Sequence, residues 1–143
     1  MVIPALDEAE TVEAAIASAR SADEIVVVDG GSLDRTADRA RAAGAHVISS
    51  PRGRARQLEA GWRATGAEVV LFLHADTRLP PDWAGAVRTA LAAPGVAGGA
   101  FRLRFDVRSL ALRVVEWGAH RRAAWAGLPY GDQALFARRS ALE

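Results

Sequence analysis

His74 and Asp76 stand two residues apart where the apolar run Val69-Val70-Leu71-Phe72-Leu73 gives out, and Thr77-Arg78-Leu79-Pro80-Pro81 follows. An imidazole and a carboxylate at the mouth of a buried strand suit a metal or phosphate site in an α/β fold. A bare Asp76 repels phosphate, so the two are compatible when a divalent cation stands between them. Asp76 is therefore the expected metal ligand. His74 either joins it or packs and hydrogen-bonds at the strand end.

Three further groups of polar residues lie in similar settings. Asp29 closes the run Ile25-Val26-Val27-Val28 and is followed by Gly30-Gly31-Ser32, where glycines let a ligand approach the backbone. Asp34 lies just beyond and reads more simply as a helix cap. Arg52, Arg54 and Arg56 form either an anion patch or a solvated surface. Asp132, in Tyr130-Gly131-Asp132-Gln133, is placed to orient an acceptor hydroxyl, coordinate through water or act as a general base; a turn carboxylate bonding backbone N–H groups is the plainer alternative.

Strands and helices must bring these groups together. Val2-Ile3 reads as a strand stopped by Pro4, and Asp7 with Glu10 reads as a capping box for a helix through Val12, Ala15, Ile16 and Ala19. Glu24 to Asp29 is the second strand. A helix capped by Ser32 or Asp34 runs to Ala43 and stops at Gly44, before a third strand over 45–48. Pro51-Arg52-Gly53-Arg54 feeds a helix through Ala55, Leu58 and Trp62. Glu68 to Leu73 is the fourth strand, and Pro80-Pro81-Asp82-Trp83 opens another helix. Val96 to Phe105 reads as a strand with a glycine-permitted bend, 109–125 as an amphipathic Arg-rich helix, and 130–139 as turn and strand. This alternation predicts a mostly parallel sheet with helices on both faces, and right-handed crossovers gather the loops at Pro4–Glu8, Asp29–Asp34 and His74–Arg78 along one edge. Helix starts after the second and third strands can offer N–H groups to anions.

Composition removes several classes of function. The chain has 143 residues, half of them hydrophobic, and a net charge of +1, so neither disorder nor nucleic-acid binding is favoured. All eighteen basic side chains are Arg, which rules out a Walker lysine, and there is no Cys for a thiolate site or nucleophile. No dinucleotide glycine fingerprint, Ser elbow or His-Glu-x-x-His is present. No stretch reads as a signal peptide or a membrane span. The expected location is the cytoplasm, with peripheral contact at the inner membrane left open by the Arg-rich 108–122 segment.

The segments Val2-Ile3-Pro4-Ala5-Leu6-Asp7-Glu8, Val26 to Thr36, Pro51 to Gln57, Phe72 to Thr77 and Pro129 to Gln133 together resemble, in order, the inverting family 2 glycosyltransferases of the GT-A fold. They are similar to a bacterial branch of small, soluble members. The resemblance implies a Rossmann-like fold for nucleoside-diphosphate sugars. It places Pro4, Ala5 and Glu8 along the nucleotide pocket, Asp29 against the base, Arg54 among the donor-binding residues, and Asp76 as the last carboxylate of an Asp-x-Asp motif that holds Mg2+ or Mn2+. His74 departs from that motif, standing where its first Asp would be. The reaction implied is metal-assisted inverting displacement by the hydroxyl of an unknown acceptor (saccharide, lipid or small molecule).

Residues 1–143 are expected to form one such domain, with 1–105 binding nucleotide-sugar and metal and 106–143 beginning the acceptor side. Relatives continue to a Glu-Asp pair that carries the base, and this chain stops at Glu143, so a C-terminally truncated product is expected, with Asp132 as the substitute base. The alternatives are a catalytically incomplete nucleotide-sugar-binding remnant completed by self-association, for instance as a homodimer, and a nucleotidyltransferase.

Overall fold

β-branched residues dominate the strands at the centre of the molecule, and their alternation decides which helix lies on which face. The strands are Val2–Ala5 (β1), Val26–Asp29 (β2), His46–Ser49 (β3), Val69–Phe72 (β4), Gly98–Ala100 (β5) and Leu135–Arg138 (β6). The helices are Val12–Ser18 (α1), Thr36–Ala42 (α2), Arg54–Ala64 (α3) and Trp83–Ala92 (α4). The computed structural model describes residues 1–101 and 134–143. The helix expected at 109–125, the strand residues up to Phe105, and Tyr130 to Gln133 with Asp132 lie outside the described residues.

The six strands run in the order β3-β2-β1-β4-β6-β5. β1 to β4 are mutually parallel, whereas β6 pairs antiparallel with both β4 and β5. The mostly parallel sheet with helices on both faces is therefore present, with one reversed strand inserted near an edge. Ile3, Ala5, Val27 and Leu71 point to one face, where Val12, Ala15 and Ile16 of α1, Ala40 of α2, and Trp83, Val87 and Leu91 of α4 cover them. Val2, Val26, Val28 and Val70 point to the other face, under Ala60 and Trp62 of α3. All four valines are fully buried, each contributing at most about 1.5–3 kcal/mol of hydrophobic stabilisation.

α3 lies unusually close to the sheet because residue 61 has no side chain. A Cβ on Gly61 would stand 2.3 Å from Val2 Cγ1 and 2.9 Å from Val28 Cγ2. The helix axis is thus drawn down over β1 and β2, which brings its first turn toward the carboxyl ends of those strands.

Two local expectations are corrected. Pro4 does not end β1, which runs on to Ala5. Odd residues of β1 bond toward β2, as in Gly30 N–H to Ala5 O, and even residues toward β4, as in Leu73 N–H to Val2 O. Proline's missing N–H therefore faces β4, where the ladder has already ended at Val2↔Phe72. Asp7 and Glu10 form no capping box either. α1 starts at Val12 behind Thr11 without a side-chain cap, because the Asp7 carboxylate accepts a distant N–H, that of Leu33, at 2.8 Å.

Candidate functional site

The strand order places the point of reversal between β1 and β4. From β1 the chain winds outward through β2 to β3, then crosses back over α3 to β4 on the other side. In such sheets the loops leaving two neighbouring strands part in opposite directions and leave a crevice at their carboxyl ends. Here the crevice is accentuated, since β1 and β4 share a single register pair, Val2↔Phe72, before diverging. Pro4, Ala5 and Glu8 lie on its β1 side, and His74 and Asp76 on its β4 side.

The loop after β1 is clasped to the loop after β2. Asp7 adopts a left-handed backbone, with φ 56°, a conformation that Asp tolerates better than most residues. Three successive N–H groups then point at the neighbouring loop. Asp7 N–H donates to Ser32 Oγ at 3.0 Å, Glu8 N–H to Thr36 Oγ1 at 2.8 Å, and Ala9 N–H to Asp34 Oδ2 at 3.1 Å. Asp34 Oδ1 also accepts the Thr36 N–H at 2.9 Å and the Thr36 hydroxyl. Asp34 thus holds the first residue of α2 from two positions upstream, but the N-cap position is Arg35, without a side-chain cap, so neither Ser32 nor Asp34 caps the helix as expected. These bonds, that of the Thr36 hydroxyl first, hold the Asp34 carboxyl below its ordinary pKa.

Asp29 is only 8% exposed, and its carboxylate folds back over the glycine turn. It accepts the Gly31 N–H at 3.2 Å, the Ser32 N–H at 3.2 and 3.3 Å, and the Ser32 hydroxyl at 2.5 Å. Ser32 Oγ therefore joins the Asp29 carboxylate to the Asp7 N–H in one chain of hydrogen bonds. Beneath this lies Gln57, 5% exposed, whose amide donates to Ala5 O and Val28 O at 2.9 Å each. Gly30 leaves room for it, since a Cβ there would fall 3.0 Å from Gln57 Nε2. β1, β2 and α3 are so tied at the floor of the edge by one buried side chain.

At the β4 end, Thr77 N–H donates to His74 O at 3.1 Å, closing a turn that turns Asp76 outward. The Asp76 side chain is exposed and accepts the Thr77 hydroxyl at 3.3 Å. The His74 Nε2 atom meets the guanidinium of Arg54, the first residue of α3. Gly53, with φ 137°, provides the bend that brings Arg54 round to this position. The structure thus joins two residues expected to serve the site, Arg54 and His74, and gives His74 a cationic neighbour. Arg52 and Arg56 flank the same turn and are exposed.

Among the described residues no three His, Asp or Glu side chains converge closely enough to hold an ion unaided. A cavity of about 420 Å3 lies at the opposite edge of the sheet, between Glu24, Val69, Trp83, Val87 and Arg138, remote from these carboxylates. Gln57 and Thr36 do not stand out in the sequence, and Ser32 does so only as an expected helix cap. A glutamine amid arginines early in a helix gives little sign of burial, and hydroxyl partners 25 to 28 residues away have no local signature. None of the described helices is long and apolar enough to cross a membrane.

Known proteins share this fold. Glucosyl-3-phosphoglycerate synthase of Mycobacterium tuberculosis is 38% identical over 90 residues, a match covering 53% of this chain and 28% of that protein. The enzyme of that name from Mycolicibacterium smegmatis is 33% identical over 96 residues, covering 57% and 31%. The crystal structure of the M. tuberculosis synthase with UDP superposes with a TM-score of 0.75 at 28% identity, over 99% of this chain and 56% of that one. Its complex with Mn2+, UDP and phosphoglyceric acid gives 0.75 at 28% identity, over 99% and 55%. The chain therefore spans little more than half the length of these solved relatives. The fold is the Rossmann-like GT-A fold. The glycosyl transferase family 2 profile matches residues 1–135, and the chain belongs to that family.

Proposed function

We propose that residues 1–101 bind the donor of a sugar-transfer reaction, a nucleoside-diphosphate sugar, in the crevice between β1 and β4. The observation that carries this reading is the exposed Asp76 carboxylate at the β4 end of that crevice, across from the clasped loops after β1 and β2. Pro4, Ala5 and Glu8 would line the nucleotide, Asp29 would reach the base, and Arg54 would meet the diphosphate. UDP is the donor nucleotide of choice, because the M. tuberculosis relative has been solved with UDP and with UDP-glucose.

The residues present fit Mg2+ or Mn2+. Asp76 is solvent-facing, and a hard cation is commonly held by one or two carboxylates, water and substrate phosphates together. Relatives solved with Mg2+ and UDP, or with Mn2+ and UDP, support the choice. The ion would supply positive charge to offset that developing on the leaving diphosphate. Within the chain, Asp76 would hold the ion's position and Arg54 would add a second positive contact to the phosphates. In an inverting displacement the acceptor oxygen bonds to the anomeric carbon as the bond to the diphosphate oxygen breaks. The acceptor proton passes to a carboxylate, for which Asp132 is the proposed base.

Donor binding and turnover are separate parts of this reading. The donor-binding residues all lie within 1–101, whereas Asp132 is the acceptor-side candidate and the chain spans 56% of a solved relative. Binding without transfer is therefore the second reading, with pairing between copies through β3, an edge strand with exposed His46 and Ser49, as a route to completion. Family membership favours sugar transfer over nucleotidyl transfer. Calorimetric titration of UDP, GDP and their sugars with Mn2+ tests the donor site, and absence of binding across that panel would refute it. Assays of UDP-glucose hydrolysis and transfer, run at several protein concentrations, separate the two readings.

A further inference from the structure

The contact between Arg54 and His74 joins the start of α3 to the end of β4, across the side of the sheet where the β1–β4 ladder has ended. A guanidinium has only N–H groups to offer, so His74 Nε2 is the accepting atom. The lone pair that an imidazole would extend to a metal through that nitrogen is directed at Arg54 instead. Arg54 is exposed, so its remaining N–H groups are accessible to an incoming anion. Its planar fork matches the paired oxygens of a phosphate better than a point charge does. The charge balance points the same way: Asp76 brings −1 to this rim and Arg54 brings +1, so a diphosphate does not meet an uncompensated carboxylate.

We propose that His74 is a positioning residue that holds the Arg54 guanidinium at the end of β4 as a fixed cation for a nucleoside diphosphate. Diphosphate binding then persists in part without a divalent ion. The inference rests on the donor-binding reading above. It differs from that reading in assigning His74 to the arginine rather than to the ion.

UDP titrated calorimetrically into the full chain, in EDTA and in Mn2+, tests this directly. In EDTA the unaltered protein retains measurable affinity. Arg54→Ala weakens it by about tenfold or more, as expected for loss of a charge-assisted contact. His74→Ala weakens it to a similar extent, and His74→Gln, whose amide oxygen can still accept from Arg54, restores most of the loss. In the double variant His74→Ala adds nothing to Arg54→Ala, an interdependence that a purely structural role would not produce. Arg63→Ala removes the same charge from the last turn of α3, where it pairs with Glu59 at 2.5 Å, and leaves UDP affinity unchanged. Thermal melts by circular dichroism confirm that each variant is folded.

The proposal is overturned if the two single losses multiply in the double variant. It is also overturned if His74→Ala leaves the EDTA affinity intact and removes only the gain produced by Mn2+, which would make His74 a metal ligand. Binding seen only with Mn2+ overturns the inference and leaves the donor site standing. No binding under either condition overturns both.

Discussion

Replacing Ser32 with Ala removes the hydroxyl that joins the Asp29 carboxylate to the loop after β1. In the native arrangement Ser32 Oγ donates to Asp29 Oδ1 at 2.5 Å and accepts from Asp7 N–H at 3.0 Å. A hydrogen bond to a charged acceptor contributes about 1.5–3 kcal/mol and a neutral one about 0.5–1.5 kcal/mol. Both lie near solvent, where water replaces part of each, so the low ends apply and the expected loss is about 2 kcal/mol. For a domain of this size that corresponds to a fall in Tm of roughly 5–10 °C. The turn itself survives, because Asp29 still accepts the Gly31 and Ser32 N–H groups. Ser32→Thr, which keeps the hydroxyl, should lose far less. Differential scanning calorimetry on Ser32→Ala, Asp29→Asn and the double variant provides the check, with the two single losses expected to be less than additive. UDP affinity should fall alongside stability in Ser32→Ala, since the Asp29 carboxylate then loses its link to the Asp7 N–H. If Ser32→Ala melts with the native protein, or the double variant is strictly additive, the clasp has no energetic role and the reasoning fails.

Other consequences are equally concrete. Gly61→Ala forces a methyl to within 2.3 Å of Val2 Cγ1, and overpacking of this kind costs about 1–3 kcal/mol; a chemical denaturation midpoint equal to that of the native protein would refute the close approach of α3. The Asp34 carboxyl has a folded-state pKa depressed by the Thr36 hydroxyl and N–H bonds. Its contribution is complete above the usual carboxylate range and is lost as pH falls through that range to the lower folded value. Asp34→Asn should therefore be less stable than the native protein at neutral pH, with the gap closing in acid. A gap that is constant with pH, followed by urea melts, would count against these bonds to the ionised carboxylate.

Much of the framework could be read from the chain because it rests on local pattern. Val26-Val27-Val28-Asp29 is a fully buried strand ending in a carboxylate, and Gly44, at φ 92°, ends α2 as a C-terminal glycine should. What escaped reading depends on distant partners. Pro4 looks like a stop until β4 is seen to have no ladder partner for it there. Asp7 has the spacing of a capping box, yet Leu33, 26 residues on, takes its oxygen. The antiparallel direction of β6 follows from its pairing Val69↔Arg138 and has no counterpart in periodicity. For the site, the residue types and the strand ends were visible, because carboxylates after apolar runs are a local signal. The Arg54–His74 contact was not, since it requires the path of α3 across the sheet, which depends on the close approach at Gly61 and on the buried Gln57.

The donor-binding reading is tested most directly by calorimetric titration of UDP in the presence of Mn2+, comparing the native protein with Asp76→Ala. Saturable one-to-one binding to the native protein, weakened about tenfold or more by Asp76→Ala, is the predicted result. Absence of binding to the native protein, or equal affinity in the Asp76→Ala variant, would contradict it.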